Sequence, residues 1–305
     1  QNRRGFSPYI ECPECGWVPS CVQCAVSLTY HKSEGRMVCH YCGFSTAIPH
    51  HCENCNSTGL LSIGFGTEKI EDEIRIVFPS ARVARMDQDT TKGKNSFDRL
   101  IRALEEKQTD ILIGTQMISK GLDIENLTVV GILNADNMLN FPDFRAHERS
   151  FHMMEQVSGR AGRRQKIGKV VIQTSDPDNK IIRLVVNHDY KNLFRIQVEE
   201  RKAFNYPPFS RMIKISLKHK DRSLLNEFAE ILGRDLKNIF GKRVLGPEYP
   251  LVSRIQLWYI KNIIIKLEKE KSSAASRQLI REAVERLEGQ KGASSLKIAI
   301  DVDPY

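Results

Sequence analysis

Eight cysteines fall in four Cys-X-X-Cys pairs between positions 12 and 55: Cys12–Cys15, Cys21–Cys24, Cys39–Cys42 and Cys52–Cys55. The remaining residues of the 305 contain no cysteine. A disulfide framework needs an oxidising compartment, which nothing else in the sequence indicates. Each such turn can aim two sulfurs at one tetrahedral ion, so the pattern predicts two four-cysteine Zn2+ sites. Four thiolates leave no open coordination position. The metals are therefore expected to hold structure, and a zinc hydrolase is excluded for want of a vacant site.

The spacing also bears on which pairs share an ion. Five residues separate Cys15 from Cys21, which is cramped for sequential pairing. Residues 25–38, between Cys24 and Cys39, read as strand, turn, strand, with Leu28 and Tyr30 before Lys32-Ser33-Glu34-Gly35 and Met37-Val38 after it. Such a hairpin places Cys21, Cys24, Cys39 and Cys42 on one ion and leaves Cys12, Cys15, Cys52 and Cys55 to close the other, a nested arrangement. Gly16 and Gly43 follow their knuckles where positive φ is easy. His31, His40, His50 and His51 are expected around the sites or at the surface, because eight sulfurs already fill both tetrahedra.

Formal charge is +9, and two divalent ions on eight thiolates would lower this by about four, leaving a basic chain suited to a polyanionic partner. No apolar run reaches membrane-spanning length and no signal peptide is visible, so a cytoplasmic location is expected. The start, Gln1-Asn2-Arg3-Arg4, lacks a methionine and is expected of a fragment cut inside a domain.

After the cysteines, short apolar runs alternate with amphipathic stretches. Strands are expected at 61–65, 82–86, 110–114, 129–133 and 169–173, with helices at 67–77, 96–106 and 145–157. The runs at 110–114 and 129–133 are nearly all apolar, as strands covered on both faces are. Alternating strands and helices predict an α/β unit with a parallel sheet. Residues 179–204 read as a mostly helical bridge, ended by Tyr206-Pro207-Pro208. Beyond it the order is β-α-β-β-α-β: strand 212–217, helix 223–240, strand material over 255–267, helix 275–287 and a last strand to Val302. This predicts a small split βαβ, or α+β, domain.

Two stretches carry chemistry. Gln156-Val157-Ser158-Gly159-Arg160-Ala161-Gly162-Arg163 presents two arginines from a glycine-rich turn after a helix, where a planar guanidinium can approach a phosphate unobstructed. Gly114-Thr115-Gln116 ends a buried strand and leads into Ser119-Lys120-Gly121-Leu122-Asp123, at the end of a strand where α/β sheets bind ligands. Together these segments resemble motifs V and VI of superfamily-two helicases. With the cysteine insertion after Asn2-Arg3-Arg4-Gly5, the Ala135-Asp136 pair, the run from Phe141 to Ala146, Tyr206-Pro207-Pro208-Phe209 and Asp301-Val302-Asp303-Pro304, the chain resembles the PriA family of bacterial primosomal replication-restart DNA helicases along essentially its whole length.

That resemblance implies a second, RecA-like motor lobe interrupted by a two-zinc ribbon module and followed by the split βαβ domain. The expected boundaries are 1–10 for the start of the lobe, 11–58 for the zinc insertion, 59–196 for the lobe and 197–305 for the last domain. It implies that Arg163 is an arginine finger for ATP, with Gln156 and Arg160 beside it, and that Gly121 and Asp123 lie on the nucleotide side. Thr115, Gln116 and Lys120 would contact single-stranded DNA. The family also implies Mg2+ with the ATP, forked DNA as substrate, and contacts with single-strand-binding protein and primosome proteins. No GxxxxGK[ST] loop and no acidic magnesium motif occur in these residues, so the first motor lobe is expected to lie outside them and the fragment alone to lack ATPase. The rival reading, a non-enzymatic zinc ribbon binding nucleic acid or protein, explains cysteines and charge but not the Gly114–Asp123 and Gln156–Arg163 series.

Overall fold

The structure, a computed structural model, describes residues 6–93, 95–115, 127–159, 161, 168–268 and 273–304. It divides into two compact units. One comprises Gln1–Pro19, Ser27–Val38 and Ser45–Gln197; the other Ser20–Val26, Cys39–Phe44 and Val198–Tyr305.

The first unit opens with β1 (Tyr9–Glu11). Its ribbon strands β2 (Thr29–His31), β3 (Arg36–Val38) and β4 (Ser45–Ala47) form an antiparallel sheet, with Tyr30 opposite Met37 and Met37 opposite Thr46. β5 (Leu61–Ile63) then returns antiparallel to β1, so Tyr9 faces Ile63 and Glu11 faces Leu61. There follow α1 (Thr67–Val77), β6 (Val83–Met86), α2 (Ser96–Glu105) and β7 (Ile111–Gly114). β6 and β7 pair in parallel, the geometry that a helical crossover between two strands produces. Met86, fully buried, gathers Phe97, Leu100, Ile101 and Leu104 from the apolar stripe of α2.

Next come β8 (Val129–Ile132), α3 (Asp136–Leu139), α4 (Ala146–Ser158), β9 (Lys169–Ile172), α5 (Lys180–Val186) and α6 (Tyr190–Ala203). β8 and β9 are again parallel, so the expected α/β character with parallel strands is present. Phe151 and Met154 of α4 pack with Leu139, Ile181, Ile182, Val185 and Leu193 into one core. The bridge expected over 179–204 is two helices. Asn187-His188-Asp189 interrupts it, with His188 at a φ of 52°, a left-handed conformation that no α-helix accommodates.

The second unit contains β10 (Ser210–His219), α7 (Arg222–Phe240), β11 (Val244–Glu248), β12 (Arg254–Ile255), β13 (Trp258–Glu268), α8 (Ser273–Glu288) and β14 (Lys297–Val302). The sheet order is β11-β13-β10-β14, all antiparallel, with β12 turning back on β13. Ile213, Ile215 and Leu217 of β10 and Ile263, Ile265 and Leu267 of β13 point to one face, because side chains alternate along a strand. Leu225, Phe228, Leu232 and Leu236 of α7 and Ile280, Val284 and Leu287 of α8 cover that face at helical spacing. Asp221 caps α7 by accepting the N–H groups of Ser223 and Leu224 at 2.7 and 3.0 Å. Gly246, at a φ of 94°, sits at a register shift between β11 and β13, where a Cβ would come within 2.7 Å of the Asn262 carbonyl.

Candidate metal centres and motor-lobe residues

The eight sulfurs converge in two groups, Cys12, Cys15, Cys52, Cys55 and Cys21, Cys24, Cys39, Cys42, with the sulfurs of each group within 4.8 Å of one another. This is the nested arrangement. Sγ–Sγ separations of 3.5 Å for Cys12–Cys55, 3.6 Å for Cys15–Cys52 and 3.5 Å for Cys21–Cys42 are far too long for disulfides. They match the edge of a tetrahedron with zinc–sulfur bonds of about 2.3 Å, which is roughly 3.8 Å. Both clusters fit a zinc ion.

The two centres differ in exposure. Cys15 and Cys55 are exposed, whereas in the second cluster Cys21, Cys24 and Cys39 are buried and Cys42 is half-buried. Without metal, thiolate charge is shared unevenly. Hydrogen bonds from the Asn54 side chain and then the Trp17 backbone lower the Cys15 pKa to about 6. At Cys55 the Ser57 N–H favours the thiolate, but desolvation and the three neighbouring sulfurs outweigh it and push the thiol up to about 12. Amides two residues on point at the first sulfur of a knuckle, Gln23 N–H at Cys21 and Asn54 N–H at Cys52, both at 3.4 Å. Gly16 and Gly43 take φ values of 70° and 79°, and Asn56 does the same at 64° after Cys55.

A charged network within the first unit holds the ribbon hairpin against the rest of the lobe. The turn between β2 and β3 offers the Lys32 N–H at 2.9 Å and the Ser33 hydroxyl at 2.8 Å to the Glu68 carboxylate on the first turn of α1. Arg85, on β6, pairs with Glu68 at 3.1 Å. His31 lies 3.8 Å from both Glu68 and Asp89. Asp87, fully buried, accepts the Thr67 hydroxyl at 2.6 Å and the N–H groups of Asp89 and Thr90 at 2.9 and 3.0 Å. Burial would raise the Glu68 pKa, but His31, Ser33 and Arg85 outweigh it and hold it at about 2. Sequence reading missed this network. The acids after Thr67 read as ordinary helix-start residues, and nothing linear joins them to a turn more than thirty positions earlier.

Of the residues implied for nucleotide and DNA, Thr115 directly follows β7 and is half-buried, and Gln156 lies exposed on the last turn of α4. Gln116, Lys120, Gly121, Asp123, Arg160 and Arg163 lie outside the described residues. At their borders, Leu127 and Ala161, the latter within the Gln156–Arg163 stretch, form a parallel bridge. Asp136, from the Ala135-Asp136 pair, accepts hydrogen bonds from Thr174 and Ser175, which depress its pKa. In the second unit a groove of about 410 Å³ is lined by Ile213, Arg277, Ile280, Arg281 and Val302.

A parallel-stranded α/β lobe with a twin four-cysteine insertion defines the class: a helicase carboxy-terminal lobe bearing a zinc ribbon. Family models agree, with the helicase conserved C-terminal domain matching 55–165, the PriA DNA helicase Cys-rich region matching 21–46 and the primosomal protein N C-terminal domain matching 202–305. The chain belongs to the PriA family of replication restart proteins. It is 39% identical over its whole length to replication restart protein PriA of Bacillus subtilis (strain 168), covering 38% of that protein. Against the Haemophilus influenzae protein of the same name, identity is 34% over 99% of this chain and 41% of the relative. The chain thus spans about two-fifths of the length of these relatives.

Proposed function

We propose that this chain supplies the second motor lobe, zinc module and C-terminal domain of an ATP-dependent DNA helicase that remodels stalled or forked replication DNA for replication restart and primosome assembly. The similarity of 55–165 to a helicase C-terminal domain carries this reading. The Leu127–Ala161 bridge supports it, since Ala161 lies within the Gln156–Arg163 stretch and Leu127 follows the Gly114–Asp123 stretch in the sequence.

In this reading a separate lobe holds the phosphates of ATP and its Mg2+. The Arg163 guanidinium neutralises charge developing on the transferred phosphoryl group, with Arg160 and Gln156 beside it. Gly121 and Asp123 face the nucleotide, and Thr115, Gln116 and Lys120 grip the single-strand backbone. The two cysteine quartets hold structural zinc and keep the ribbon in place for strand handling. Single-stranded and forked DNA, single-strand-binding protein and primosome proteins are the partners, met in the cytoplasm. Among the described residues no helix is long and apolar enough to cross a membrane.

The test is DNA-stimulated ATP hydrolysis by the full-length protein carrying Arg163→Ala. A fall of about a thousand-fold or more in kcat is expected, the range for loss of an arginine finger. Hydrolysis at the unsubstituted rate would remove Arg163 from the site. The 305-residue chain alone, with no phosphate loop, is expected to turn over no ATP.

A further inference from the structure

Three of the four knuckles close on themselves. The residue after the second cysteine turns its N–H back to the carbonyl of the first: Gly16 to Cys12 at 2.8 Å, Gly43 to Cys39 at 2.9 Å and Asn56 to Cys52 at 2.9 Å. All three adopt positive φ, which glycine and asparagine tolerate best. The fourth knuckle, Cys21–Cys24, is followed by Ala25, for which that conformation is costly. Its N–H goes elsewhere, to the Arg254 carbonyl at 2.9 Å.

The same hairpin, between β12 and β13, makes three more contacts with this knuckle. Leu257 N–H donates to the Gln23 carbonyl at 2.8 Å, the Arg254 guanidinium reaches the Val22 carbonyl at 3.3 Å, and Gln256 N–H points at the Cys24 sulfur at 3.3 Å. Cys24 is thereby given an amide donor from 232 positions away, whereas Cys21, Cys42 and Cys52 take theirs from two residues on. The hairpin is shaped for this: Gln256 and Leu257 both carry positive φ, 50° and 66°, and so aim successive amides outward.

We infer that the Arg254–Leu257 hairpin is an outer-sphere part of the second zinc centre, completing the one knuckle that cannot close itself. An amide aimed at a thiolate lowers the cost of gathering four negative sulfurs and fixes the ligand's orientation. Arg254 and Gln256 are therefore positioning residues for the metal, and the metal in turn orders the β12–β13 edge of the C-terminal domain. This rests on zinc filling the quartet, so the metal content of each sample is measured alongside.

The experiment uses the zinc-loaded chain and two single-site variants, Cys42→Ser in the second quartet and Cys55→Ser in the first. Amide exchange is read by mass spectrometry over 254–260 and over the strand core at 213–217. With bound zinc falling from two to one in each variant, exchange over 254–260 should rise only in Cys42→Ser, while 213–217 stays protected. Unchanged protection of 254–260 in Cys42→Ser, or an equal rise in Cys55→Ser, overturns the inference. Should Cys42→Ser not fold, Arg254→Ala keeps every cysteine and gives an independent reading. Chelator should then withdraw one of its two zinc ions about ten-fold faster than from the unsubstituted chain, the lower end of outer-shell effects on metal affinity; identical release of both overturns the assignment.

Discussion

Glu68 is the residue whose surroundings most exceed its appearance in the sequence. Its carboxylate is nearly excluded from solvent, yet it receives a ribbon amide, a serine hydroxyl and the Arg85 guanidinium. Removing one partner from a buried ion pair strands the other, which commonly costs about 3–5 kcal/mol. Glu68→Gln should therefore destabilise the first unit by about 3 kcal/mol, measured by denaturant unfolding with zinc present. Its pH signature has a definite sign. The folded pKa, about 2, lies below the ordinary 4.5, so the contribution is complete above about pH 4.5 and disappears as pH falls towards 2. Over that window the unsubstituted chain should lose more stability than the glutamine variant; equal losses would show that Glu68 is not the group responsible. At this scale the cysteines were legible because metal chemistry imposes a spacing. Glu68 and Arg85 were not, since partners brought together by folding leave no mark on neighbouring positions.

The long helices were readable from the chain, and so were most short strands, β2, β3 and β5 to β9 among them. The helix expected at 67–77 is found at those bounds, and α2, α4, α7 and α8 lie within one or two residues of expectation. β1 and β4 were not expected, since Tyr9-Ile10-Glu11 and Ser45-Thr46-Ala47 stand apart from the turn and apolar-run signals that marked the other strands. Ala25 did carry a signal: it is the one post-knuckle position without the glycine or asparagine that closes the others. Its partner, however, could be known only from the fold. The clearest test at this level is α7, whose Phe228 and Leu232 sit under both the sheet and α8. Phe228→Ala should lower the stability of the second unit by about 3–5 kcal/mol, seen as an earlier unfolding transition. A cost below about 1 kcal/mol would mean that the helix is not the lid of this core.

For the molecule as a whole the checkable quantity is metal content. Two zinc ions per chain are expected, and one or none would refute the paired quartets. Because Cys15 and Cys55 are exposed while the second quartet is largely buried, a chelator should remove the metals in two phases, the first quartet emptying first. A single phase would contradict the difference in access. The broad plan of an α/β lobe followed by a split βαβ domain was visible in the order of runs, whereas the pairing of distant strands was not. That pairing has one more consequence. Because β1 and β5 lie side by side, the polypeptide steps out of the lobe and back in at almost the same spot. An excursion whose two feet stand together can be lengthened, pared down or exchanged for another without rethreading the sheet beneath it.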